Sequence, residues 1–178
     1  MAEQFEIRLA TVADAALIGL QRARMFHEME MVPDAIFDRY RALCETRLWE
    51  LLETGEYVGW LAYRDQSPNE IVAGAGVQLR CVLPHPVGET LDEIVIAEGR
   101  HAIVLNVWTE PAWRRRGLAT LLMKQILAWA RAERLDRLVL HASDEGRLVY
   151  EKLGFTQTNE MRFKERLDLP SDKQGTAL

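Results

Sequence analysis

Three consecutive arginines, Arg114, Arg115 and Arg116, stand directly before Gly117 in the stretch NVWTEPAWRRRGLATLLMKQILAWARAERL, residues 106–135. The chemistry they suggest is the binding of a polyanion. The residues before the cluster read as a strand and those after it as a helix, so the cluster lies at a strand-to-helix junction. The first turn of a helix carries unpaired backbone N–H groups and the positive end of the helix dipole, and such a terminus binds phosphate readily. Gly117 and Ala119 are small, which lets a diphosphate approach the backbone closely. The arginines add charge and forked donors without having to make every contact themselves. The helix carries a wide apolar stripe, Leu118, Leu122, Ile126 and Trp129, which would pin the turn against a sheet. Two nucleotide motifs fail. The stretch Ala73–Gly76 reads AGAG, which is not GxGxxG and lies inside a strand pattern, and the arginine turn lacks the GK[ST] ending of a P-loop. A phosphate site survives, whereas a kinase or a dinucleotide dehydrogenase does not.

The rest of the chain limits what this basic turn can serve. At 178 residues it is most simply one domain, long enough to bury a core without disulfides or metal. Its net charge of −5 argues against a nucleic-acid partner, which a basic footprint over the domain would announce. No apolar run approaches the roughly 20 residues needed to cross a bilayer, and the start, MAEQFEIRL, has neither the basic segment nor the apolar core of a signal peptide. Cys44 and Cys81 have no CxxC spacing and read as two buried thiols. The expectation is a cytoplasmic protein with no membrane partner and no metal.

The order of elements follows from periodicity. Residues 5–10 alternate as a half-buried strand, and Thr11 with Asp14 three residues on forms a variant of the capping box before a first helix. Ile18, Met25 and Met29 share a face of that helix. A second helix runs from about Pro33 to Thr54 with the stripe Phe37, Tyr40, Cys44, Leu48 and Leu51, and Gly55 ends it. Two strands, residues 57–64 and 71–82, are joined by the turn-like segment DQSPNE. Between Leu83 and His101 prolines, glycines and acids weaken the pattern into a long connection. A strand at 102–109, the helix from Gly117 to about Arg134, a short strand at 137–142, a short helix ending at Gly154 and a last strand at 160–167 complete the domain. It is expected over residues 1–168, with a frayed polar tail at 169–178. The mixture indicates an α/β or α+β domain.

Two segments together carry a family resemblance. RRRGLA, Arg114 to Ala119, matches the pattern Q/R-x-x-G-x-G/A of the GCN5-related N-acetyltransferase superfamily, and LNVWTEPAW before it resembles that family's fourth strand and pyrophosphate loop. VYEKLGF, Val149 to Phe155, is similar to the family's second signature, at the expected spacing. The resemblance covers most of residues 5–167. It implies an acyl-CoA N-acyltransferase fold in one domain: a central mixed, mostly antiparallel sheet, splayed at the cofactor cleft and flanked by helices. It implies acetyl-CoA as cosubstrate, with the strand Ala102–Thr109 offering backbone groups of Val107, Trp108 and Thr109 to the pantetheine arm. The amides of Arg114, Arg115, Arg116, Gly117, Leu118, Ala119 and Thr120 would hold the pyrophosphate. Tyr150 falls at the family's usual general acid, protonating the departing thiolate. Many relatives carry Asn seven residues before that tyrosine; here Ser143 stands there and would make a shorter-reaching cofactor contact.

The resemblance also says what is missing. Some protein-acetylating relatives place a glutamate base on the fourth strand, and the nearest equivalent here is Ile103. Glu28, Glu30, Glu110 and His101 are candidate bases, with water as another. The acceptor side would be walled by the first two helices and their connection, RMFHEMEMVPD. Glu28, Met29 and Glu30 there suit a small cationic amine or a peptide amino terminus, the carboxylates attracting charge and the methionine lining the apolar part. The expected assembly is a monomer or a homodimer. The leading expectation is an acetyl-CoA-dependent N-acetyltransferase working by direct attack of a primary amine. The alternative is a non-catalytic acyl-CoA sensor on the same fold.

Overall fold

The computed structural model describes residues 4–88, 90–158 and 160–161. Five strands form the main sheet in the order β1-β2-β3-β6-β7: β1 (Phe5–Leu9), β2 (Tyr57–Arg64), β3 (Ser67–Cys81), β6 (Arg100–Thr109) and β7 (Arg137–Leu140). All neighbours are antiparallel except β6 and β7, which run parallel. Between β3 and β6 a separate two-stranded hairpin is made by β4 (His85–Val87) and β5 (Val95–Ala97). The helices are α1 (Ala15–Glu28), α2 (Asp34–Glu53), α3 (Leu118–Ala132) and α4 (Asp144–Lys152). This is the mixed, mostly antiparallel sheet flanked by helices that the resemblance implies.

Strand alternation divides the core into two layers. On β2, Trp60 and Ala62 point into a cluster completed by Leu118, Leu122, Met123 and Ile126 of α3. Leu61 between them points the other way, into Ala15 and Ile18 of α1 and Leu48 and Leu51 of α2. Each of the α3 side chains is at most 2% exposed, and burial of one such side chain stabilises the fold by about 1.5–3 kcal/mol. That stripe fixes the start of α3, and with it the arginine turn, against the sheet. Glycine permits a second close approach on the α1 side: a Cβ on Gly76 would collide with the Tyr57 ring, and one on Gly74 would lie 2.6 Å from Gln21 Oε1. The AGAG run is thus a packing device in a strand.

Several expectations are corrected. The β2–β3 turn comprises only Asp65 and Gln66, because β3 begins at Ser67. The long connection holds the β4–β5 hairpin. Helix α1 stops at Glu28, so Met29 leaves the core face and is 47% exposed, with Glu30 at φ +57° turning the chain. Cys44 is half-buried and Cys81 exposed, so neither is the buried thiol expected. The greater part of the expected last strand, 160–167, and the tail, 169–178, lie outside the described residues. Among the described residues no helix is long and apolar enough to cross a membrane.

Strand β1 is tied to α1 by Asp14. Its carboxylate accepts from Arg8 at 2.7 and 2.8 Å and from the backbone N–H and hydroxyl of Thr11 at 2.8 and 3.1 Å. Asp14→Ala should lower unfolding stability by about 1–2 kcal/mol at pH 7. Because the Arg8 side chain is 39% exposed, screening keeps the ion-pair share small. The hydrogen bond from Arg8, against the opposing effect of burial, holds the Asp14 carboxyl below its ordinary value. Its contribution is therefore present above the unfolded value of about 3.9 and lost as pH falls through the lower folded value. Urea titrations of both proteins should show the gap closing below about pH 4; an undiminished gap in acid would remove the ionised carboxylate from the explanation.

Candidate active site

The site is built on a fork between two parallel strands. Pairing of β6 with β7 runs from His101↔Arg137 to Val104↔Leu140 and stops there, because β7 ends at Leu140 while β6 continues to Thr109. Residues 105–109 therefore have no strand partner on the β7 side among the described residues. The same stretch is bulged on its other side: Gly76 pairs Leu105 and Gly74 pairs Trp108, so Asn106 and Val107 together face the single residue Ala75. Asn106 sits at φ +56°, a region that asparagine tolerates better than most residues. A bulge bends and twists its strand, and this one lies in the stretch of β6 beyond its pairing with β7.

Asn106 is held from the α1 side. It is 5% exposed; its Nδ2 donates to the Tyr57 hydroxyl at 3.0 Å, and its Oδ1 accepts from Arg22 at 2.6 Å. Burial pushes the Tyr57 phenol up to about 12, so it stays neutral and can accept this bond throughout the physiological range. The Arg22 guanidinium also lies 4.7 Å from the centre of the Phe26 ring. Sequence reasoning missed this network. The available signal was one amide inside the apolar run Ala102–Thr109, where a paired interior strand has no use for it.

Beyond the bulge the chain enters the arginine turn. Glu110 N–H donates to Val72 carbonyl at 2.9 Å, a short 3-10 turn covers Pro111–Trp113, and Arg115 and Gly117 adopt φ of +63° and +82°. The first bond of α3 runs from Leu121 N–H to Gly117 carbonyl at 2.9 Å, so the amides of Leu118, Ala119 and Thr120 have no helical acceptor. Leu118 is 2% exposed and anchors the turn. No atom lies within 4 Å of where a Cβ on Gly117 would stand, so a ligand can approach its backbone. The three arginines differ in employment. Arg114 donates to Thr109 carbonyl at 3.0 Å, pairs with Glu28 at 2.7 Å and stacks 4.9 Å from the Trp108 ring centre. Arg116 stacks 4.7 Å from the Trp113 ring centre. Arg115 is exposed and has no side-chain partner among the described residues. The junction can receive a polyanion on backbone amides, with Arg115 as the available charge.

Tyr150 lies on α4, where its ring meets Phe155 edge-on at 6.1 Å. It lines a cavity of about 260 Å³ with Leu140, Arg147, Glu151 and Phe155. Leu140 is the last β7 residue paired with β6, so this cavity opens where the strands part. Burial raises the Tyr150 phenol above its ordinary value, which keeps it a proton donor. Ser143 caps α4: its Oγ accepts from Gly146 N–H at 3.2 Å, so its hydroxyl hydrogen alone is left to donate elsewhere. Val107 and Thr109 are half-buried along the fork, and Trp108 is buried against Arg114.

The residues expected at the acceptor side do not gather into an acidic pocket. Glu28 is bound to Arg114, which neutralises it, and Met29 and Glu30 are exposed past the end of α1. Glu110 is held by Arg24 at 3.3 Å, and His101 contacts His85. Ile103 is buried opposite Gln78 on β6. Of the candidate bases, Glu28, Glu110 and His101 each have a partner, and Glu30 is exposed beyond the end of α1.

The strand edge left open beyond Val104 leads directly into a helix start whose first amides have no helical acceptor. The acetyltransferase (GNAT) family matches residues 17–155, and the chain belongs to that family. Among solved structures, a GCN5-related N-acetyltransferase from Ralstonia eutropha JMP134 is 24% identical with a TM-score of 0.76, covering 90% of this chain and 97% of its own. A predicted acetyltransferase of Clostridium acetobutylicum, solved with acetyl-CoA, is 26% identical with a TM-score of 0.70, covering 93% and 96%. Glucosamine-6-phosphate N-acetyltransferase from Arabidopsis thaliana shares 17% identity and a TM-score of 0.62, covering 93% and 100%. A comparison with curated protein sequences finds no match.

The fork makes a prediction of its own. Asn106→Ala should cost about 2–3 kcal/mol, from lost buried hydrogen bonds and an unfavourable φ, and lower the melting temperature by about 5–10 °C. Asn106→Gly, which relieves the φ, should cost less. Calorimetry that found the two variants equally unstable would show that the backbone conformation is not the constraint.

Proposed function

We propose that the chain is an acetyl-CoA-dependent N-acetyltransferase that moves an acetyl group to a primary amine by direct attack. The observation that carries this reading is the continuity of three features along one strand: the parting of β6 from β7 after Val104, the bulge at Asn106, and the open amides from Arg115 to Thr120 where the strand gives way to α3. The strand edge at Val107, Trp108 and Thr109 suits the amide-bearing pantetheine arm, and the turn at Arg114, Arg115, Arg116, Gly117, Leu118, Ala119 and Thr120 suits its pyrophosphate. Among the related structures one is solved with acetyl-CoA and another, an aminoglycoside N-acetyltransferase, with CoA.

In this mechanism the amine lone pair attacks the thioester carbon. A carbon–nitrogen bond forms, the carbon–sulfur bond breaks, and the carbonyl oxygen carries charge in between, which backbone N–H groups of the fork are placed to receive. The departing thiolate takes the Tyr150 phenolic proton, and the new amide loses the amine proton to water. Direct transfer is supported by the engagement of Ser143, whose Oγ caps α4 and is not set up as a covalent nucleophile. The acceptor is a small amine or a peptide amino terminus. The neutralisation of Glu28 by Arg114 removes the main support for a strongly cationic one. A sensor without turnover is the competing reading, and release of free thiol with any amine separates the two. The expected compartment is the cytoplasm.

Gly117→Glu places a carboxylate in the turn at open space, with strain of about 1–3 kcal/mol from the positive φ. Isothermal titration should give acetyl-CoA binding to the wild type and none to the folded variant, whereas dephospho-CoA should still bind the wild type through its pyrophosphate. No binding by the wild type would remove the enzyme and sensor readings together. Tyr150→Phe should lower kcat about 10²-fold with cofactor affinity unchanged. Because burial raises the phenol, no loss of kcat from its ionisation is expected below about pH 10; a kcat unaffected by the substitution would free Tyr150 from the acid role.

A further inference from the structure

His85 and His101 stand outside the fork and take no part in the transfer described above. His85 lies on β4 of the small hairpin, paired with Ala97, and His101 lies on β6 between Arg80 of β3 and Arg137 of β7. Their Nε2 atoms are 3.3 Å apart. The ring centres are 4.8 Å apart with the planes at 89°. The spacing narrows from ring centres to nitrogens, so the Nε2 atoms are the parts of the two rings that face one another. The same contact is a hydrogen bond between the two rings, and it holds both nitrogens at one point between β4 and β6.

We propose that His85 and His101 form a two-histidine site for a borderline divalent transition-metal ion of the zinc, copper and nickel class. With Zn–N bonds of about 2.0–2.1 Å and a tetrahedral angle, two imidazole nitrogens on one ion lie about 3.3–3.4 Å apart. The observed separation is that edge. Imidazole suits this class of ion. The ring of His85 is also oriented as a ligand requires: its Nδ1 lies 3.3 Å from the Leu83 carbonyl, to which only an Nδ1–H can donate. That tautomer leaves Nε2 unprotonated and facing His101, the arrangement in which a backbone carbonyl fixes a metal-bound imidazole. Among the described residues no third histidine, cysteine, aspartate or glutamate joins the pair, so water completes the coordination.

The consequence is mechanical. The hairpin carries little core of its own: Leu83, Leu91 and Ile96 are 85%, 89% and 79% exposed. An ion shared by β4 and β6 would fasten it to the rigid sheet and stabilise the folded chain by mass action.

The test is a titration of chelator-treated full-length protein with Zn2+ alone, read by calorimetry and by melting temperature. The wild type should bind one equivalent and melt higher with Zn2+, and His85→Ala and His101→Ala should each lose both effects. Cys81→Ser, which removes an exposed competing thiol, should retain them. Long-range proton–nitrogen spectra of the wild-type histidines keep the proposal open to refutation even if a variant misfolds: Zn2+ should shift the Nε2 resonances of two rings and leave their Nδ1 protons in place. Absence of saturable binding by the wild type, binding retained in both histidine variants, loss in Cys81→Ser, or shifts at Nδ1 would each overturn it.

Discussion

The buried amide of Asn106 is the constraint on which the rest of the site depends. A strand in the middle of a sheet normally pairs on both sides along its length. For β6 to part from β7 halfway, one residue had to leave extended geometry while its polar groups stayed satisfied. Asn106 does both: its positive φ makes the bulge, and its side chain bonds Tyr57 and Arg22. An unsatisfied buried polar group costs about 1–3 kcal/mol, so the two partners are what make the distortion tolerable. Gly76 takes part as well, since the Tyr57 ring reaches Asn106 only by passing over a residue with no side chain. The fork is therefore a property of three strands and one helix acting together.

The arginine turn follows a different logic, in which charge is spent on structure as much as on ligand. Arg114 joins the end of β6 to α1 through Thr109 carbonyl, Trp108 and Glu28, and Arg116 lies on Trp113. The first amides of α3 have no helical acceptor, and Arg115 alone among the three side chains stands exposed without a partner among the described residues. A run of like charges that looks uniform in sequence is divided by the fold into two structural cations and one available one. This explains how an acidic chain of net charge −5 accommodates the cluster without a wider basic face.

Much of this was legible in the sequence where the signal is local. The period of Leu118, Leu122 and Ile126 fixed α3 to within two residues at its far end, and Gly55, Gly117 and Gly154 marked turns where φ is indeed positive. The alternation in β2 gave its limits without error. What escaped is non-local or too short for a period. The β4 and β5 strands have three residues each, one of them containing a proline, so no alternation could reveal them. The Asn106 network joins residues 49 and 84 positions apart, and the Glu28–Arg114 pair spans 86. Glu28 looked like a free acid beside a methionine because its partner lies across the fold. Met29 was grouped with the face of Ile18 and Met25 because the helical period was carried one residue beyond Glu28, where the helix ends.

The pairing of Glu28 with Arg114 and of Arg24 with Glu110 links the last turn of α1 to the start of the arginine turn. Such pairs at partly exposed positions contribute about 0–1 kcal/mol each, too little to set where α1 lies. That position is set by Ile18, Gln21 and Ala23, all at most 3% exposed. The ion pairs act instead on orientation. They hold Arg114 flat on Trp108 and keep its charge compensated, so that the cation directed along the strand end is already satisfied before any ligand arrives. The first amides of α3 and the Arg115 side chain are left outside these pairs. Arg22 on the same helix is engaged with neutral groups, donating to Asn106 and lying 4.7 Å from the Phe26 ring centre.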